Sequence, residues 1–129
     1  MVLLQGVFAS FSVGGYSVSP EQVEPGEYGT ISFVITNTDQ SSEAQSIKVL
    51  VDTTTLITIN REVIVGDLAP GSSAAVSIPF EVSRGIKTGI YPITIEVYGQ
   101  VRQPNGNFGT TNKVISSVIK IVNPPALKV

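Results

Sequence analysis

Between Leu68 and Tyr98 the chain reads L-A-P-G-S-S-A-A-V-S-I-P-F-E-V, then a short break, then G-I-Y-P-I-T-I-E-V-Y. A Pro-Gly turn feeds a run in which apolar and polar side chains alternate, and a Gly precedes a Tyr that opens a second such run. Alternation with a period of two puts every second side chain on one face of a strand. Two such runs in close succession, each punctuated by Gly and Pro, predict a small antiparallel β-sandwich. The stretch contains no motif for chemistry.

The same period recurs along the chain, and no segment holds a helical period for ten residues or more. Tyr16–Pro20 reads as a short first strand after Gly14-Gly15, followed by an acidic, turn-rich connection from Glu21 to Gly29. Thr30–Thr36 points Ile31, Phe33 and Ile35 inward, and Ile47–Asp52 points Ile47, Val49 and Val51 inward. Asn37 to Ser46 reads as a loop, Leu56–Asn60 and Glu62–Val65 as short β pieces, and Gly66-Asp67 as a turn, with Leu68 plugging the end of the core. Ala74–Val82 buries Val76, Ile78, Phe80 and Val82 and leaves Pro79 outside, which argues for an edge or a bulge there. Tyr91–Val97 buries Tyr91, Ile93, Ile95 and Val97. Pro104-Asn105-Gly106 is a hairpin turn, because Asn-Gly accepts positive φ. Lys113–Val122 is the last strand, stopped by Pro124-Pro125. The expected fold is all-β: a single Ig-like antiparallel sandwich of about seven or eight strands.

The chain has 129 residues, enough for one domain that buries a core without disulfides or metals. Charged residues are only 14% of the total, against about 25% in ordinary globular chains. Ser, Thr, Asn, Gln and Gly must therefore cover the surface. Cys, His and Trp are absent. That removes disulfides, thiolate chemistry and the commonest general base and transition-metal ligand. The net charge of −2 offers no basic field for nucleic acid or anionic lipid. No cofactor is expected, and no enzyme.

The strand T-I-S-F-V-I-T-N-T from Thr30 to Thr38, then L-A-P-G, then G-I-Y-P-I-T-I-E-V, resembles the Ig-like and fibronectin-III-like repeat domains of archaeal S-layer-related and secreted surface proteins. It is also similar to adhesion and glycosidase-associated modules of bacteria. The resemblance spans about Tyr16 to Val122. It implies an extracellular or cell-surface module with no active site of its own. It also implies that Tyr91 is a tyrosine-corner residue, its hydroxyl bonded to nearby backbone. The hairpin from Ile95 to Ile119 is longer than in the simplest members.

Candidate binding groups are few. Glu21, Glu24 and Glu27 share one loop, and calcium there is the single metal reading left open, without the spacing of calcium loops. Other carboxylates are too scattered to form a glycosidase pair. Tyr16, Tyr28, Tyr98 and Phe108 are candidates for a sugar-stacking platform. Tyr98 and Phe108 are the preferred ligand contacts, because the phase of Tyr98 puts it on the outer face of its strand.

The last strand is the anomaly. Ile115, Ile119 and Ile121 take one phase and Val114, Val118 and Val122 the other, so both faces are apolar. Such a strand invites pairing unless something covers it. The apolar segment from Val2 to Val13 is the obvious cover, within its own subunit or donated to another. Leu3, Leu4, Val7, Phe8, Phe11, Val114, Val118 and Val122 are thus interface candidates.

The expected organisation is an apolar N-terminal segment over 1–14 forming an added strand, an Ig-like sandwich over 15–123 and a tail or linker over 124–129. The N-terminal segment is too short to span a bilayer and lacks the basic start of a signal peptide, so Met1 is expected to be either an added initiator residue or the start of a mature subunit, with any targeting segment removed. The expected function is structural: a spacer, coat or adhesion module acting through protein partners. The alternatives are a subunit of a homopolymeric filament joined by strand donation, and a carbohydrate-binding accessory module.

Overall fold

The computed structural model describes residues 11–102 and 106–123. Among the described residues, nine strands form two packed sheets. They are β1 (Phe11–Ser19), β2 (Gln22–Val23), β3 (Tyr28–Asn37), β4 (Ala44–Thr53), β5 (Ile57–Ile59), β6 (Glu62–Leu68), β7 (Ser73–Val82), β8 (Gly89–Arg102) and β9 (Phe108–Ile121). One sheet has the order β1-β3-β7-β5 and the other β2-β9-β8-β4-β6. All pairings are antiparallel except β2 with β9, which is parallel. The architecture is an Ig-like sandwich.

The core is what the alternation dictates. Ile31, Phe33, Ile35, Val49, Val76, Ile78, Phe80, Ile93, Ile95 and Ile119 are all buried between the sheets. Leu68 ends β6 and is buried as well. Pro79 faces out opposite Thr30, at a point where β7 has no partner on its other side among the described residues, because β5 pairs only from Phe80 onward. A residue without an N–H is harmless there.

Four local expectations are corrected. Gly14-Gly15 does not close a segment before the sandwich: β1 runs through it, with a register shift between Gly14 and Ser17 and Gly15 at φ 66°. The expected boundary between residues 14 and 15 thus falls inside a strand. Gly66-Asp67 is not a turn either; it lies within β6, Gly66 at φ 100° opposite Ile47. Both glycines make bulges, which take the same positive φ as turns but leave the strand intact. The acidic connection contains β2, a two-residue strand on the second sheet. Finally, Phe11 is 1% exposed and sits in the core, opposite Asn37 on β3, so it is not an interface side chain. Its phase in β1 points it inward, and its ring fills the space left by the missing side chain of Gly99.

One end of the sandwich holds Phe11, Asn37, Leu68 and Gly99. Asn37 is the one polar or charged side chain among the described residues that is buried. Its Nδ2 donates to the carbonyl oxygens of Ser42 (2.8 Å), Leu68 (3.1 Å) and Ala69 (3.2 Å), and its Oδ1 accepts from the Asp39 N–H (3.0 Å). The amide ties the loop after β3 to the turn between β6 and β7. At the far end, Val122 N donates to Val23 O at 2.9 Å, closing the second sheet.

Candidate functional site

The sites suggested by the sequence fall in different places. Tyr16 and Tyr28 lie on β1 and β3, in the sheet that does not contain Tyr98 and Phe108. A single platform of the four rings is therefore not formed; alternation shows a side chain's face but not which sheet its strand joins. Tyr98 and Phe108 do share the outer face of the β8–β9 hairpin. Tyr98 is opposite Asn112 and Phe108 opposite Arg102, with the Gln100–Thr110 pair between. They are thus about 13 Å apart along the strand, at roughly 3.3 Å per residue. Leu3, Leu4, Val7 and Phe8 lie outside the described residues, as does the 124–129 tail.

Tyr98 borders an open depression of about 760 Å³ on the outer face of the second sheet. Its walls include Lys48 and Leu50 from β4, Ile64 and Asp67 from β6 and Gln100 from β8. Two bulges bend the sheet here. The pairing of β4 shifts register around Ser46, which has φ 55°, and Gly66 kinks β6 opposite. The Ser46 N–H donates to Asp67 Oδ1 at 2.9 Å and holds the two irregularities together.

Polar groups on this face are mutually engaged. The Tyr98 hydroxyl donates to the Glu96 carboxylate, and Asn112 Nδ2 donates to Glu96 Oε2 at 2.7 Å. The hydrogen bond to Glu96, with some burial and the carboxylate's charge, holds the Tyr98 hydroxyl above its ordinary pKa. Lys48 Nζ lies 3.5 Å from Glu62 Oε2, an exposed pair of little energetic weight. In the acidic connection, the Glu24 N–H donates to Glu27 Oε1 at 3.1 Å. Among the described residues no group of three or more acidic, His or Cys side chains is arranged to hold a metal ion.

Tyr91 lies at the start of β8, and its hydroxyl donates to the Lys87 carbonyl oxygen at 2.6 Å. The bond spans the turn that leads into the strand and braces it.

The feature with the most capacity for contact is β9. One side of it pairs with β8 along the whole strand. On its other side, among the described residues, only Lys120 and Ile121 are paired, to Gln22 and Val23. From Gly109 to Ile119 that edge carries no strand among the described residues. Val114 (55% exposed) and Val118 (40%) project from the outer face beside it, and Pro92 and Ile90 (65%) continue the apolar strip on β8. Val122 is half-buried.

The other edges are blunted. β1 is bulged between Gly14 and Ser17, β5 has three residues, and β6 is bulged and carries Glu62 and Asp67. Bulges, brevity and charge are the usual protections of an edge. Between Lys113 and Lys120, β9 has none of them.

No protein-family model matches the chain, and no curated protein matches its sequence. Solved structures do resemble it. The CARDB domain of a Pyrococcus furiosus protein, in complex with di-metal ions, has a TM-score of 0.61 at 17% identity, with 89% of this chain and 90% of that one covered. Native alpha-2-macroglobulin from Escherichia coli, from domain MG7 to the C-terminus, gives 0.63 at 17% identity over 91% of this chain and 17% of that one. BcpA, the major pilin subunit of Bacillus cereus, gives 0.57 at 10% identity over 88% and 40%. The likeness is one of fold. The chain spans nearly all of the first and only a fraction of the other two.

Proposed function

We propose that this chain is a non-catalytic Ig-like module of a cell-surface or secreted protein, a spacer, coat or adhesion domain that works by binding protein. The observation that carries this reading is the open apolar edge of β9 beside Val114 and Val118. An edge of this kind adds a strand from a partner: backbone hydrogen bonds supply affinity and alternate side chains supply specificity. Support comes from the fold shared with a CARDB domain and a pilin subunit, and from a sequence without His or Cys. The S-layer resemblance of the sequence belongs to the same reading.

The test is site-specific photo-crosslinking on cells that make the protein. A crosslinker at Ser116, between Val114 and Val118, should capture protein, whereas one at Thr58, exposed on β5, should not. Equal labelling at both positions, or none at Ser116, would sink the proposal.

The depression beside Tyr98 favours a second reading, a carbohydrate-binding accessory module. Amide shifts confined to Lys48, Ile64 and Tyr98 on titration with oligosaccharides would support it, and unchanged spectra would remove it.

A further inference from the structure

We infer that the occupant of the open β9 edge is the segment Val2–Ser10 of a second copy of this chain, added to the sheet as an outer strand. The inference rests on the reading of β9 as the contact edge and names its partner.

The first argument is complementarity of faces. A strand added beside β9 meets Val114 and Val118 on one face and half-buried Ile115 on the other. It must be apolar in both phases. The segment is: Val2, Leu4 and Phe8 share one phase, and Leu3, Val7 and Ala9 the other. A strand with one wet face would alternate instead.

The second argument is charge and length. No charged side chain precedes Glu21, so burying the segment strips no side-chain charge of water, and Gln5 is its one long polar side chain. Nine extended residues reach about 30 Å at roughly 3.3 Å each, which matches the open edge from Gly109 to Ile119.

The third argument separates a second copy from the chain itself. Phe11, Ser12 and Val13 are held opposite Asn37, Thr36 and Ile35 on β3. The chain enters β1 at the end of the sandwich where Phe11 lies against Gly99, and runs in the same direction as β9, to which β2 is parallel. To lie along its own β9 the segment must reverse immediately before Phe11. A two-residue hairpin turn there needs Gly, Asn or Asp at positive φ, and Phe8-Ala9-Ser10 supplies none. The direction of β1 at Phe11 leads past the rim of its own sandwich, away from its own β9 edge.

The test uses two complementary variants of the whole chain. A variant lacking residues 2–10 keeps the edge and loses the donor. Val114→Lys/Val118→Lys keeps the donor and blocks the edge; both positions are exposed, and Val118→Lys alone replaces it if the double variant does not fold by far-UV circular dichroism. In sedimentation from micromolar to near-millimolar concentration, the natural chain should associate and each variant alone should stay monomeric. An equimolar mixture of the two should double the mass into a one-to-one pair. A natural chain that stays monomeric overturns the inference, including the case in which removing residues 2–10 lowers its urea midpoint, which would show the segment packed on its own subunit. So does association of the natural chain without pairing of the two variants. If Ser116 crosslinks a different protein while the pure chain is monomeric, self-donation is wrong and the contact edge stands; absence of any crosslink at Ser116 removes both.

Discussion

The side-chain amide of Asn37 donates to the main-chain carbonyl of Leu68 at 3.1 Å, joining the end of β3 to the end of β6 across the rim of the sandwich. The same nitrogen serves Ser42 and Ala69. One buried amide thus serves the carbonyl at the end of β6 together with carbonyls from the loop after β3 and the turn after β6.

Replacing Asn37 should be costly in a graded way. Asn37→Ala leaves these carbonyls without their donor, and a loss of about 2–3 kcal/mol is expected from urea unfolding. Asn37→Asp sets a carboxylate against the same carbonyls and should be worse at neutral pH. Burial among acceptors raises the folded pKa of that carboxyl, so the gap between the two variants should narrow as pH falls through that raised value and change no further below about pH 4, where the unfolded carboxyl is protonated as well. Equal midpoints for Asn37→Ala and the natural chain would refute the role.

Gly99 and Phe11 predict a coupled pair. A Cβ on Gly99 would stand 2.6 Å from the Phe11 ring and 3.1 Å from Ile47 Cγ1. Gly99→Ala should therefore cost about 1–3 kcal/mol through overpacking. Combining it with Phe11→Leu should recover part of that loss, giving a non-additive cycle. Strict additivity would show that the ring moves aside freely.

Tyr91→Phe removes the bond to the Lys87 carbonyl and nothing else from the packing. A loss of about 1 kcal/mol is expected, with the m-value unchanged. A midpoint identical to that of the natural chain would show that water replaces the hydroxyl without penalty.

Tyr98 should ionise late. Its hydroxyl is held above the ordinary value of 10.0 by the hydrogen bond to Glu96, then by burial and the carboxylate's charge. A raised folded pKa means that this contribution to stability is present below pH 10 and disappears as pH rises through the folded value. Near-ultraviolet titration should show a late-ionising component that is lost in Tyr98→Phe and shifted back down in Glu96→Gln. A Glu96→Gln titration that overlays the natural one would contradict the assignment.

The inward sets on β3, β7 and β8 could be read before any coordinates, because period two on a strand and burial on one face of a sheet are the same statement. What escaped the reading was non-local or too short to carry a pattern. Two residues, Gln22 and Val23, have no period, so β2 was hidden in an acidic connection. Gly15 and Gly66 take positive φ, which in a sequence looks like a turn whether or not the strand continues. Asn37 ended a strand before a polar loop, a visible signal, but its acceptors at Leu68 and Ala69 depend on how the sheets meet. The double apolarity of β9 was legible in Val114, Ile115, Val118 and Ile119. That its outer side lacks a partner from Gly109 to Ile119 among the described residues depends on where β2 stops.

The crossing of the first strand from one sheet to the other also has a mechanical meaning. β1 belongs to one sheet, and its continuation β2 lies parallel to β9 in the other. Phe11 and Ile121 therefore sit at opposite poles of the sandwich. Tension applied between them would pull the short β2–β9 pairing, Gln22 with Lys120 and Val23 with Ile121, lengthwise, so that its bonds share the load, where a hairpin pulled from its open end would unzip one bond at a time. A load applied along that axis through the first and last strands would be met in shear at the β2–β9 pairing.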